Sequence, residues 1–243
     1  MNLLLDIGNT RLKWGWTDSN GIETGEPVVH DSGNLKQNLV AAWRDLNPAP
    51  RRLAVSCVSS EQVLAVVRSV AFELWPALEW IRVKPLASAH GVVNGYQNPD
   101  KLGVDRWLCL IAARKLWREP VCIVDCGTAI TVDVMTENGQ HLGGLISSGL
   151  TLMKQSLAND TAVLPFSGRS FAAGLADTTE AAIYSGTLFA AVGLINTVLG
   201  RQKQTLKLIL SGGDAEVIAR HLNYDSIIAP DLVLQGLAFV LGD

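Results

Sequence analysis

Charge is scarce in this 243-residue chain: only 18% of residues are Asp, Glu, Lys or Arg, against the ~25% usual in soluble domains. The net charge is −3 and the basic residues are scattered, so nothing marks nucleic acid as the main partner. No unbroken apolar run approaches the ~18–20 residues that a bilayer span requires, and no membrane association is expected. The first residues, MNLLLDIGNT, reach an acid at Asp6 without a basic leader or a small-residue cleavage site, which excludes a signal peptide at that position. Cysteine is rare too, with four residues and no CxxC pair. Cys122 and Cys126 are separated by three residues with no histidine pair to complete a zinc site. Buried, reduced thiols and a cytoplasmic location are therefore expected. Two nucleotide signatures are missing as well, the GxxxxGK[ST] phosphate loop and a GxGxxG turn after a strand. His141 stands alone on an expected strand, with no serine or cysteine in motif context, which argues against a hydrolytic triad.

What the chain does have is apolar residues. The hydrophobic set makes up 48%, with 22 glycines besides, above the usual share once glycine is counted. That excludes a disordered chain. It fits either a large core or apolar surface shared between subunits. The length allows one large domain or two of ordinary size. Short apolar runs over 2–6 and 12–17 flank a Gly-Asn turn and read as a hairpin, followed by a strand over 22–29. Helical spacing covers 35–46 and 60–72, the latter capped by Ser60, and strands are expected at 52–58 and 79–83. Residues 84–103 read as loop. The pattern then restarts: a helix over 104–117, strands over 121–124, 130–135 and 141–146, helices over 149–157 and 179–199, a strand over 206–210, and helices over 214–222 and 231–240.

The restart carries a repeat. Leu3-Leu4-Leu5-Asp6-Ile7-Gly8-Asn9-Thr10 and Cys122-Ile123-Val124-Asp125-Cys126-Gly127-Thr128-Ala129 share an apolar strand, Asp, any residue, Gly and a small polar side chain. They lie about half a chain length apart, and each is followed by a second strand. Two such copies point to a duplicated α/β half. Gly8 and Gly127 permit close approach of backbone amides to a phosphate. Asn9, Thr10 and Thr128 add side-chain donors, and Lys13 adds a positive charge. Asp6 and Asp125 would repel phosphate directly, which makes sense with a cation between them; each could equally close an Asx-turn. Gly212-Gly213 ends a strand where a ring or phosphate could approach. Asp105 begins a helix, favourable against its dipole, with Arg106 beside it and Tyr96 in the preceding loop; substrate contact and plain surface roles both fit these three.

Together, Asp6-Ile7-Gly8-Asn9-Thr10, Asn94-Gly95-Tyr96, Gly103-Val104-Asp105-Arg106, the run from Asp125 to Asp133, and Leu210-Ser211-Gly212-Gly213-Asp214 resemble the type III pantothenate kinase family. That family belongs to the acetate-and-sugar-kinase/Hsp70/actin superfamily and includes the Bvg accessory factor proteins. The resemblance implies an α/β fold of duplicated actin-like (ribonuclease H-like) domains with mixed sheets flanked by helices, halves at 1–103 and 104–243, and a homodimer. It implies transfer of the ATP γ-phosphoryl group to the primary hydroxyl of pantothenate, giving 4'-phosphopantothenate, the first step of coenzyme A biosynthesis. By residue, it implies ATP contacts from Asp6, Ile7, Gly8, Asn9, Thr10, Arg11, Leu12, Lys13, Thr128, Gly212 and Gly213. Asp105 would be the base, and Tyr96, Gly103, Val104, Asp105, Arg106 and Thr179 would contact pantothenate. A monovalent cation, K+ or NH4+, would sit at Asp125, and Mg2+ accompanying ATP would sit near Asp6. Ser147-Ser148-Gly149 departs from the family pattern, in which a proline often precedes the glycine. Two other readings are a different small-molecule kinase or phosphatase of the superfamily and a non-catalytic accessory protein, whose sign would be a missing Asp6, Asp105 or Asp125.

Overall fold

A computed structural model describes residues 1–18, 21–30 and 33–242. The elements run β1 (Asn2–Ile7), β2 (Arg11–Asp18), β3 (Gly21–Thr24), β4 (Val28–Val29), α1 (Leu35–Trp43), β5 (Arg52–Cys57), α2 (Glu61–Leu74) and β6 (Glu79–Arg82). After the small ribbon of β7 (Ser88–Ala89) and β8 (Val92–Val93) comes α3 (Val104–Leu116). Then follow β9 (Val121–Cys126), β10 (Ala129–Met135), β11 (His141–Ser148), α4 (Leu150–Asp160), α5 (Thr179–Gly200), β12 (Lys207–Ser211), α6 (Ala215–Ala219), β13 (Ser226–Ile228) and α7 (Leu232–Leu241).

The chain divides into two compact units, Met1–Arg118 together with the chain from Asp231, and Glu119–Pro230. Sequence placed the boundary at 103/104; in the structure α3 and α7 pack on each other and on strands of the first sheet. Their contact is tight because Gly236 lets the α3 backbone at Leu108 approach where any Cβ would collide. Asp243, the last residue of the expected second half, lies outside the described residues. In the first unit the strand order is β3-β2-β1-β5-β6, with β4 beside β2; in the second it is β11-β10-β9-β12-β13. Both sheets place an antiparallel hairpin against two parallel strands. The duplication read from the two Asp-x-Gly runs is thus a duplication of sheet topology.

Alternation along β1 explains how the first sheet is covered. Leu3, Leu5 and Ile7 join Leu39, Trp43, Val67 and Val70 of α1 and α2 in one core cluster, while α7 packs against β1 and β5. Asp6 shares the parity of Leu4, on the face away from the α1–α2 cluster. Ser60 caps α2 as expected, its hydroxyl accepting from the Val63 amide at 3.3 Å. The strand expected over 22–29 is broken into β3 and β4, because Pro27 interrupts the ladder and Gly25 packs under the Trp14 ring, leaving no room for a side chain. In the second unit Cys122, Val124 and Cys126 of β9 pack with Leu188, Ala191 and Ile195 of α5 and with Ile218 of α6. All four cysteines are free, three of them buried and Cys57 partly so. One helix, α5, is long and apolar enough to cross a membrane by length and composition alone. Its Thr, Ser, Gly and Asn residues break the run visible to a search for unbroken apolar stretches, while one face of the helix packs into the core of its own unit.

Candidate functional site

In the first unit, β1 ends at Asp6-Ile7 and the chain turns through Gly8-Asn9-Thr10 into β2. The Gly8 amide donates to the Arg11 carbonyl at 3.1 Å, closing the turn. Asp6 lies in register with Ser56 on the parallel strand β5, and the Ser56 hydroxyl, wholly buried, donates to Asp6 Oδ1 at 2.9 Å. A hydroxyl aimed at one carboxylate oxygen fixes its rotamer. Lys13 stands opposite Asp6 on the hairpin. Just after β4, the His30 Nε2 lies 2.8 Å from the Gly8 carbonyl. Neither Ser56 nor His30 was marked by the sequence; parallel pairing to β5 would have been the signal for Ser56.

A second group in the same unit centres on the start of α3. Arg106 is buried, with 5% of its surface exposed, and a buried guanidinium needs partners. It donates to the Tyr96 hydroxyl at 2.7 Å and stacks over the same ring, 5.4 Å from its centre. The Tyr96 loop is built by Asn94, whose side-chain amide donates to the carbonyls of Leu86 and Pro99 and whose oxygen accepts from the Tyr96 amide. Asp105 Oδ1 accepts from the Arg106 amide at 2.8 Å, and the carboxylate folds back over Gly103, where a Cβ would collide with it. Val104 is buried beneath. Tyr96 and the Gly103–Arg106 run, two separate stretches of the sequence, therefore meet in one structural group.

The second unit repeats the turn. Asp125, next to last in β9, lies in register with Ser211 of β12, and the Gly127 amide donates to the Ala129 carbonyl at 3.1 Å. Gly212, with φ of 89°, packs against the Cys126 carbonyl and Asp125 Oδ1 so closely that no Cβ fits. Gly213 opens onto free space. Thr128 holds Gly149, whose amide donates to the Thr128 carbonyl at 2.9 Å, so Ser147 and Ser148 finish β11 without the proline and the glycine still starts α4. Thr179 opens α5 and lines a groove of about 540 Å³ with Met153, Leu157, Leu164, Ile183 and Gly186. His141 is not alone after all. It meets Asp133 at 2.8 Å, both buried, a pair that hairpin register hides from a search for adjacent residues.

The donor sets are hard oxygens. Asp125 Oδ1 and the Cys126 carbonyl both lie against Gly212, and Asp6 offers a carboxylate held by Ser56; these are the oxygens that could hold a cation. Among the described residues no three His, Cys, Asp or Glu side chains cluster, so a divalent ion here would complete its shell with phosphate oxygens and water.

Comparison with known proteins adds three findings. The family model described as "Type III pantothenate kinase" matches residues 2–201. A type III pantothenate kinase from Nitrosococcus oceani is 37% identical, covering 100% of this chain and 94% of its own length. Among solved structures, a Baf family protein from Campylobacter jejuni superposes with TM-score 0.64 at 20% identity over 99% of this chain and 97% of its own. A protein assigned as a 2-dehydro-3-deoxygalactonokinase from Sinorhizobium meliloti gives 0.58 at 12% identity over 98% and 97%. The fold is the duplicated actin-like α/β architecture, mixed sheets flanked by helices.

Proposed function

The chain belongs to the type III pantothenate kinase family, and from that premise we propose that it transfers the γ-phosphoryl group of ATP to the primary hydroxyl of pantothenate. The observation that carries the reading is the grouping of Tyr96, Gly103, Asp105 and Arg106 at the start of α3. A carboxylate and a guanidinium side by side suit a substrate that has both a hydroxyl to deprotonate and a carboxylate to hold. Asp105 takes the hydroxyl proton; Arg106, fixed by Tyr96, pairs with the substrate carboxylate. Thr179 adds a further substrate contact.

Phosphoryl transfer asks for positioning and charge neutralisation more than covalent chemistry. The Asp6–Lys13 turn and Thr128 hold the phosphates through amides, hydroxyls and the Lys13 ammonium, and the Gly212-Gly213 turn accepts the nucleoside. Asp6 would hold magnesium and Asp125 a potassium or ammonium ion; when bound, each cation would offset the charge of phosphate near its own carboxylate. Four free thiols support a reducing, cytoplasmic location. A homodimer is supported by apolar exposure concentrated in the second unit: Leu142, Leu145 and Ile146 on β11, Leu152 on α4 and Phe189 on α5.

The test is ADP release from ATP and magnesium, with and without pantothenate, in potassium and in sodium. Release that requires both pantothenate and potassium supports the kinase and the cation role together. A folded protein with no pantothenate-dependent release returns the chain to the accessory-protein or other-substrate readings.

A further inference from the structure

We propose that His30 is a positioning residue that locks the Gly8–Asn9 peptide with its amide turned toward the nucleotide phosphates. The inference rests on the phosphate role given above to the Asp6–Thr10 turn. Its structural part begins with β4, which pairs with the first two residues of β2 after that turn, Val28 with Leu12 and Val29 with Arg11. The next step along the chain brings His30 level with Thr10. Its ring then reaches the Gly8 carbonyl, 2.8 Å from Nε2. A carbonyl can only accept, so Nε2 carries the proton and donates.

The consequence follows from peptide geometry. A trans peptide is planar, with its C=O and N–H pointing in opposite directions. Holding the Gly8 oxygen toward His30 turns the Asn9 N–H away from His30. Gly8 needs such a restraint because glycine accepts backbone conformations that other residues refuse. The Gly8 amide is already tied to the Arg11 carbonyl, but that bond fixes the peptide before Gly8, not the one after it. If the Gly8–Asn9 peptide flipped, the turn would present a carbonyl oxygen to an anion in place of a donor. His30 therefore acts on anion binding through the backbone, without touching the ligand.

The experiment is a titration of the full chain with ADP plus magnesium, and separately with adenosine, for the wild type, His30→Phe and His30→Gln. Phenylalanine keeps the ring and loses the donor; glutamine keeps an N–H at comparable reach. The expected result for His30→Phe is ADP binding weakened about five- to tenfold, the loss of one partly buried hydrogen bond, with adenosine affinity unchanged. His30→Gln should stay within about twofold of wild type. In turnover assays the KM for ATP rises in His30→Phe while the KM for pantothenate stays put. Wild-type ADP affinity in His30→Phe overturns the proposal, and so does equal weakening of ADP and adenosine in both variants, which would mark a general disturbance. A wild type that binds ADP but ignores pantothenate removes only the substrate reading, and the titration still decides on His30. A wild type that binds no ADP removes both.

Discussion

In the first unit Asp6 lies in register with Ser56 and receives its hydroxyl; in the second Asp125 lies in register with Ser211, whose hydroxyl instead turns to the Pro230 carbonyl at 3.5 Å. The scaffold is shared, five strands in the same order and directions with β4 added beside β2 in the first sheet, yet the two carboxylates are set differently. The first is fixed by a buried donor on the neighbouring strand. The second lies against Gly212, beside which the Cys126 carbonyl also packs, so closely that no Cβ fits there. The edges differ as well. β3 is a four-residue strand with exposed polar ends, whereas β11 has eight residues and presents Leu142, Leu145 and Ile146 to the outside. A long apolar edge is a surface that soluble proteins cover. Duplication thus supplied one frame, and side-chain changes set its two Asp-x-Gly turns and its two sheet edges differently.

The sharpest way to break that contrast is to exchange carboxylates for neutral groups. Asp105→Asn should lower turnover ~10²–10⁴-fold if it is the general base, with ADP affinity near wild type in a titration. Asp125→Ala should instead flatten the dependence of the rate on potassium. A folded Asp105→Asn protein with normal turnover, or an Asp125→Ala protein with the full potassium response, would erase the contrast between the units.

The edges give the next largest effect. Ile146→Lys places a charge on the exposed face of β11 and should shift sedimentation from dimer to monomer at micromolar concentration, since burying one unpaired ammonium costs several kcal/mol. Glu23→Lys on β3 serves as the counterpart and should leave sedimentation unchanged. Smaller still is the serine pair. Ser56→Ala removes the donor to Asp6 and should raise the KM for ATP about three- to tenfold, while Ser211→Ala, which removes a hydroxyl turned to the Pro230 carbonyl, should leave it near wild type. Equal effects would mean that the two turns are not set differently.

Much of this frame was legible in the residues. Alternation and turn chemistry located most strands and helices, and the two Asp-x-Gly runs exposed the repeat because their positions depend on local spacing alone. The group at Tyr96, Asp105 and Arg106 was legible as motif pieces, though only the loop built by Asn94 brings Tyr96 onto Arg106. What stayed hidden depends on pairing between distant segments: Ser56 beside Asp6, His30 beside Gly8, and His141 with Asp133 across a hairpin. The return of α7 to the first unit and the short strand β13 escaped for the same reason. Nothing local in residues 231–241 tells which sheet they cover.

The copies also differ in titration. Aligning the repeats puts Cys122 where the first unit has Leu3, and Cys126 where it has Ile7. Burial pushes the Cys122 thiol from its ordinary 9.0 to about 12, with Asp133 adding to the rise, and burial pushes Cys126 up as well, with Asp125 and Asp214 contributing. The folded state therefore favours the neutral thiols. Below pH 9 the unfolded chain keeps them neutral too, and the full stability is present. As pH climbs from 9 toward 12 the unfolded thiols ionise first, and stability is lost. At pH 10 the loss is about 1 kcal/mol per thiol. All seven tryptophans lie in the first unit, so their fluorescence follows that unit, while hydrogen exchange at β9 and β12 follows the second. The alkaline loss should show in exchange at β9 and β12 well before tryptophan emission shifts, and Cys122→Val with Cys126→Val should remove most of it. Simultaneous loss in both probes, unaltered by the valines, would place the alkaline sensitivity elsewhere than in these two thiols.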